Sequence, residues 1–210
     1  IAVCISGGKD SMLMAKLFQE LKRHNKFPFE VIYLVMDPGY NAANRKIIEE
    51  NARMLGIPAT IFETQIFDAV YNIDKSPCYL CARMRRGYLY RRAMDLGCNK
   101  IAYAHHEDDV VETMMLSLFY EGRLHTFSPV THLDKTGLTV IRPLIYMREA
   151  EVIGFVNKYQ VPVVKSPCPA DGHTKREYIK ELLQQIHREN PGVRDRIFTA
   201  IQRGNMEGWS

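Results

Sequence analysis

An apolar run, residues 1–5, leads straight into Ser6-Gly7-Gly8-Lys9-Asp10-Ser11 and then into an amphipathic helical pattern. Few short segments restrict a fold so strongly. A strand that turns through two glycines into a helix N-terminus brings free backbone N–H groups and the positive end of the helix dipole to one point. That point favours an anion such as phosphate. Lys9 adds a positive charge, and Ser6 and Ser11 add hydroxyl donors. The spacing is neither GxxxxGK[ST] nor GxGxxG. A tight Gly-Gly turn beside a solvated lysine would account for a bare pair of glycines, but not for the full hexapeptide behind a strand.

The rest of the chain alternates apolar strands with helical patterns. This predicts one α/β domain, a parallel twisted sheet of about five strands with helices on both faces. The strands are expected at 1–5, 31–36, 59–63, 100–105 and 139–142, with a short further strand at 161–164. Helices are expected behind the glycine loop, with Leu13, Leu17 and Leu21 on one face, and at 44–55, 81–96, 108–120 and 148–159. A helical tail runs from 174 to about 203, broken at Pro191-Gly192. Residues 1–170 read as the main domain and 171–210 as a helical extension. No membrane span or signal peptide is visible in the sequence. The first strand begins at residue 1, so a longer native chain is expected. Five cysteines, an odd number, fit a reducing compartment better than a disulfide framework, which makes the cytoplasm the expected location. A net charge of +4 is mild and decides nothing about nucleic acid by itself.

Open parallel sheets bind ligands beyond the carboxyl ends of their strands. The loops expected to converge there are 6–11, 37–40, 76–81, 104–109 and 166–168, and they hold most of the unusual chemistry. Ala104-His105-His106-Glu107-Asp108-Asp109 is a dense polar cluster between a strand and a helix. Asp108 and Asp109 suit a magnesium ion carried on a nucleotide, and His105 and His106 suit phosphate or substrate contacts. Read as a capped helix start, with aspartate at the N-cap, the segment accounts for one Asp but not for both histidines and both aspartates.

Cys78-Tyr79-Leu80-Cys81 is expected on a loop entering the next helix, and Cys168 lies far downstream in Ser166-Pro167-Cys168-Pro169. Zinc, with His173 as a fourth ligand, and a three-cysteine iron–sulfur cluster both fit this set. Cys4 and Cys98 read as packing residues. The helix that follows carries Arg83, Arg85, Arg86, Arg91 and Arg92 interleaved with Tyr88 and Tyr90. That pattern suits RNA, with guanidinium forks for phosphate and tyrosines for stacking on unpaired bases, as much as it suits a solvated face. The tail adds Lys175, Arg176, Lys180, Arg188, Arg194, Arg196 and Arg203, diluted by Glu177, Glu181, Glu189 and Asp195.

Taken in order, SGGKDS, CYLCARMRRGYLYRRA, AHHEDDVVETMMLSLFYEG, IRPLIYMRE and SPCP resemble the tRNA-cytidine 2-sulfurtransferases (tRNA 2-thiocytidine synthetases), within the PP-loop ATP-pyrophosphatase superfamily. The resemblance implies an adenine-nucleotide α-hydrolase-like fold and ATP held on Ser6, Gly7, Gly8, Lys9, Asp10 and Ser11, with Asp37 near the adenosine and His105 in the cofactor site. It implies Lys9, Asp10, Asp108 and Asp109 as catalytic residues with Mg2+. It implies Cys78, Cys81 and Cys168 as ligands of a [4Fe-4S] cluster, with Zn2+ as the alternative. The activity implied is adenylation of C2 of an anticodon-loop cytidine followed by exchange of oxygen for sulfur. The partners implied are tRNA and a sulfur donor, either a cysteine desulfurase or sulfide, and a homodimer is allowed. Two departures stand out. Ala104 replaces a common glycine, and residues 169–172 are Pro-Ala-Asp-Gly where a further cysteine often stands. Rival readings are a PP-loop tRNA-modifying ligase of lysidine-synthetase type or a uridine thiolase with structural zinc, and a non-catalytic ATP-binding regulator.

Overall fold

The computed structural model describes residues 1–39, 41–71, 77–164, 168, 174–204 and 206–209. Positions 40 and 76 of the expected ligand loops, Ser166 and Pro167 before Cys168, residues 169–172 after it, and His173 lie outside them. The chain runs β1 (Ala2–Ile5), α1 (Lys9–His24), β2 (Ile32–Asp37), α2 (Ala42–Met54), β3 (Ala59–Glu63), α3 (Ile66–Tyr71), α4 (Pro77–Asp95), β4 (Lys100–Ala102), α5 (Glu107–Glu121), β5 (Val130–Leu133), β6 (Leu138–Ile141), α6 (Glu149–Lys158), α7 (Lys175–Glu189) and α8 (Val193–Arg203). The strands form one sheet in the order β3-β2-β1-β4-β6-β5. All neighbours are parallel except β5, which pairs antiparallel with β6.

Strand pleating sends alternate residues to opposite faces. Val3 and Ile5 of β1 pack with α1, α2 and α6, whose Met12, Met14, Ile48, Val152 and Val156 close that face. Ala2 and Cys4 pack on the other face with Ile66 and Val70 of α3 and Leu89 and Ala93 of α4. Helices therefore cover both faces, as the alternation of patterns requires.

The sheet has six strands rather than about five. The extra one, β5, is short, half-exposed and on the edge, so it leaves little apolar signature. The strand expected at 161–164 does not form. Val164 instead donates its N–H to the Gly7 carbonyl at 2.9 Å, which ties this segment to the glycine loop. Helix α4 begins at Pro77, so the two cysteines of CYLC sit in its first turns and not on a loop before it. Proline suits a first helical position, where no N–H is needed. Asn41, not Asn44, caps α2, and its side chain accepts the Asn44 N–H.

The C-terminal helices share a core with α5. Val110, Val111 and Met114 of α5 pack with Ile145, with Ile179 and Leu183 of α7, and with Phe198 and Ile201 of α8. Leu183 is fully buried there. Leu183→Ala is expected to cost about 3 kcal/mol, read as a shift in the urea midpoint of the whole chain in one transition. A separate early transition for the tail would contradict the shared core. Among the described residues no helix is long and apolar enough to cross a membrane.

Candidate nucleotide and cysteine site

The chain leaves β1 toward β2 and β3 on one side and returns through β4 on the other. The carboxyl ends of β1 and β4 therefore flank the crevice at which such sheets bind ligands. The first loop entering it is residues 6–11. Gly7 takes φ +86°, and a Cβ there would lie 2.5 Å from Val164 Cγ1 and 2.8 Å from Ile48 Cγ1. The Ser6 N–H donates to Ser11 Oγ at 3.1 Å, and Ser11 Oγ donates to the Gly8 carbonyl at 2.9 Å. Gly8 is the N-cap of α1 and has no side chain to fill its end. That leaves the helix terminus open to a ligand.

The second loop comes off β4. Ala102 and Ala104 face the α1 side, whereas Ile101 and Tyr103 face α4. This parity separates the two histidines. His105 turns to the α4 side and stacks on Phe127, ring centroids 4.7 Å apart, and burial drives its pKa down to about 4 against the pull of Asp109. His106, not His105, meets the glycine loop, with Nε2 3.7 Å from Asp10 Oδ1. His106 is also the N-cap of α5, a place the sequence assigned to an aspartate. Its Nδ1 accepts the Asp109 N–H, and Asp109 Oδ2 accepts the His106 N–H at 3.0 Å.

Asp108 and Asp109 have different surroundings. Asp108 is fully engaged: Oδ1 accepts from Arg194 Nη1 and Oδ2 from the Glu149 N–H, both at 2.7 Å. Asp109 is more open, with Arg176 Nη1 at 3.5 Å from Oδ1. Lys9 Nζ lies 3.0 Å from Asp10 and 3.0 Å from Glu149 Oε1. Burial works against the Lys9 charge, but Asp10 and Glu149 outweigh it and raise the pKa. Asp37, at the end of β2, is buried and accepts the Gly39 N–H at 2.9 Å.

The sequence reading did not single out Glu112 and Glu149, and it placed Arg176, Lys180 and Arg194 on a diluted basic tail. The structure turns those three cations inward. Arg176 donates to Glu112 at 3.1 Å, Lys180 lies 3.0 Å from Glu149 Oε2, and Arg194 grips Asp108. Glu149 is pushed up by burial, yet hydrogen bonds from Lys180 and Lys9 bring it down to about 2. Its folded value lies below its unfolded one. The stability it contributes is therefore complete above the ordinary carboxylate range and is lost as pH falls toward about 2. The stability gap between the wild type and Glu149→Gln, read from urea midpoints, should narrow steadily below about pH 4.5. A gap that does not change with pH would rule out this ionic role.

Cys78 and Cys81 are one helical turn apart on α4, with Arg85 a further turn along the same face. Cys78 is exposed, and Cys81 and Cys168 are half-buried. Burial pushes the Cys81 thiol up, Arg85 pulls it down, and Cys168 and Cys78 push it up again. Cys78 and Cys168 are thus both within electrostatic reach of Cys81. Among the described residues no three His, Cys, Asp or Glu side chains are close enough to close a metal site in this conformation. Cys4 is fully buried and its thiol is raised far above the ordinary range by burial and Cys98, in keeping with a packing role. Of the α4 arginines, Arg83, Arg86 and Arg91 are exposed, and Arg85 and Arg92 are half-buried. Tyr79, Arg83 and Arg86 follow one another at i, i+4 and i+7 along one exposed face.

The PP-loop domain family matches residues 1–186. Among curated relatives, the tRNA-cytidine(32) 2-sulfurtransferase of Pelobacter propionicus is 37% identical over 96% of this chain and 77% of its own length. That of Geobacter sulfurreducens is 36% identical over 99% of this chain and 82% of its own. Among solved structures, the U34-tRNA thiolase NcsA of Methanococcus maripaludis with its [4Fe-4S] cluster is similar with a TM-score of 0.79 at 24% identity. The match covers 99% of this chain and 72% of that one. The NH3-dependent NAD synthetase of Campylobacter jejuni follows with a TM-score of 0.54 at 16% identity, covering 98% and 86%. These structural likenesses bear on the fold.

Proposed function

This chain belongs to the tRNA-cytidine(32) 2-sulfurtransferase family of PP-loop domains, and from that premise we propose that it carries out ATP-dependent thiolation of a tRNA anticodon-loop cytidine. It is a sulfurtransferase enzyme. The observation that carries the reading is the convergence of the 6–11 loop and the α5 acids on the crevice between β1 and β4, with Cys78 and Cys168 both within electrostatic reach of Cys81.

ATP is the first substrate. The open end of α1 and Lys9 receive its phosphates, and Ser6 and Ser11 steady the loop. Asp10 and Asp109, the less enclosed acids, take the magnesium ion that travels with ATP, whereas Asp108 holds the frame by gripping α6 and α8. The cytidine O2 attacks the α-phosphorus, an O–P bond forms, and the bond to the β-phosphate breaks with pyrophosphate leaving. A sulfur nucleophile at the oxidation level of sulfide then adds at C2, and the C2–O bond breaks with AMP as leaving group. His106, 3.7 Å from Asp10, is placed to orient that acid.

Cys78, Cys81 and Cys168 would hold the iron–sulfur cluster. Three soft thiolates suit it, and when bound it supplies an iron with no protein ligand to carry the sulfur. The exposed Tyr79, Arg83 and Arg86 face beside them is the proposed path for the anticodon loop, with Arg91 farther along. Residues 171–210 are taken as an extension of the one domain, which the core shared by Ile179 and Leu183 with α5 supports.

The test is anaerobic reconstitution with iron and sulfide, followed by incubation with unmodified tRNA and ATP. Mass spectrometry of the digested tRNA should show 2-thiocytidine in one-to-one proportion with AMP. AMP formation without a thionucleoside, or a protein that retains zinc and no iron, would overturn the reading.

A further inference from the structure

The loop lysine is outnumbered. Two carboxylates, Asp10 and Glu149, surround its single ammonium at 3.0 Å each. A phosphate arriving at that set alone would meet net negative charge. The balance is restored from an unexpected quarter. Lys180, on α7 of the C-terminal extension, donates to Glu149 Oε1 at 3.3 Å and lies 3.0 Å from Oε2. Lys9 reaches that same Oε1. One carboxylate oxygen thus holds both ammonium groups side by side.

We propose that Lys180 is a second phosphate-binding cation of this site, carried in by α7 and held next to Lys9 by Glu149. The inference rests on the ATP reading above and extends its machinery into the tail. Glu149 is then a positioning residue: it touches no substrate and fixes where two cations stand. The side chains of Lys9 and Lys180 are 28% and 30% exposed, so neither is sealed from solvent. Lys180 also lines a cavity of about 510 Å³ with Asp108, Glu149 and Arg194; no residue of the 6–11 loop lines it, so it gives open space beside Lys180 and not a pocket shared with Lys9. When ATP binds with its magnesium ion, Asp10 turns to the metal and the two lysines turn to phosphate oxygens. The ligand class is a polyphosphate. ATP and the pyrophosphate it releases carry the charge that calls for two cations, whereas AMP is met by the helix end and Lys9.

Calorimetric titration of the full chain in magnesium with ATP, inorganic pyrophosphate and AMP tests this. Lys180→Met keeps the aliphatic stem and removes the charge. It should weaken ATP and pyrophosphate by about tenfold and AMP by less than about twofold, and Lys180→Arg should recover most of the loss. A purely structural salt bridge between α6 and α7 would lower the melting temperature and leave the polyphosphate selectivity alone, and that result overturns the proposal. So does an equal loss for all three ligands. Should Lys180→Met fail to fold, Lys180→Gln and Lys180→Arg are judged by the same criteria. A Lys9→Met protein with unchanged ATP affinity would instead remove the ATP-loop reading itself, whatever Lys180 does.

Discussion

Gly7→Ala is expected to cost about 3 kcal/mol of stability and to abolish measurable ATP binding. Two separate strains add. The backbone at Gly7 lies at φ +86°, a region that an L side chain occupies at a cost of about 1 kcal/mol or more. The new methyl would also sit 2.5 Å from Val164 Cγ1 and 2.8 Å from Ile48 Cγ1. Neither neighbour is a flexible chain end on an open surface, and overpacking of this kind costs about 1–3 kcal/mol. Relief would require the loop to lift, but its Gly7 carbonyl is held by the Val164 N–H at 2.9 Å. Gly8→Ala provides the internal control. Gly8 has φ −74°, and its Cβ would find only Ser6 Oγ at 3.7 Å. It should stay within about 1 kcal/mol of the wild type. Equal urea midpoints for the two variants would contradict the argument.

Cys168→Ser is expected to lose the iron and to drop thiolation on the order of a hundredfold or more, while ATP affinity stays within about twofold. On the proposed reading the cysteine belongs to the delivery of sulfur, and it makes no part of the glycine loop, so the two functions should separate. Iron and sulfide analysis after anaerobic reconstitution, set beside an ATP titration, reads both. Cys98→Ser is the comparison, since Cys98 packs beside Cys4 and Tyr103 in the α4-side core. If Cys168→Ser keeps its iron, or loses ATP binding as well, the cysteine has a structural role and the sulfur-delivering assignment falls.

The glycine loop, the alternation of strands and helices, and the polar segment after β4 were all legible because each is a local pattern. What escaped was long-range. Arg194 meets Asp108 across 86 positions and Arg176 meets Glu112 across 64, and no periodicity links such pairs. Arg176, Lys180 and Arg194 therefore looked like part of a diluted basic surface when they are the counter-charges of Glu112, Glu149 and Asp108. That His106 meets Asp10 was readable in principle. From β4 into the residues after it, Ile101 and Tyr103 share one face and Ala102 and Ala104 the other, and the even-numbered side continues toward the glycine loop. The edge strand β5 was too short and too exposed to announce itself, and 161–164 looked like a strand because Val161, Val163 and Val164 are β-branched, although Val161 and Val164 meet the core and Val163 is exposed.

The bond between Val164 and Gly7 sets a length scale for the chemistry. Cys168 follows Val164 by four residues, and four residues span at most about 14 Å fully extended. Whatever path those residues take, the distal cysteine is leashed to the carbonyl that shapes the nucleotide loop. On the proposed reading, sulfur delivered at that cysteine would stay within about that distance of the loop where the leaving group is made, and chain length alone would do what a second domain closing over the crevice would otherwise do by motion.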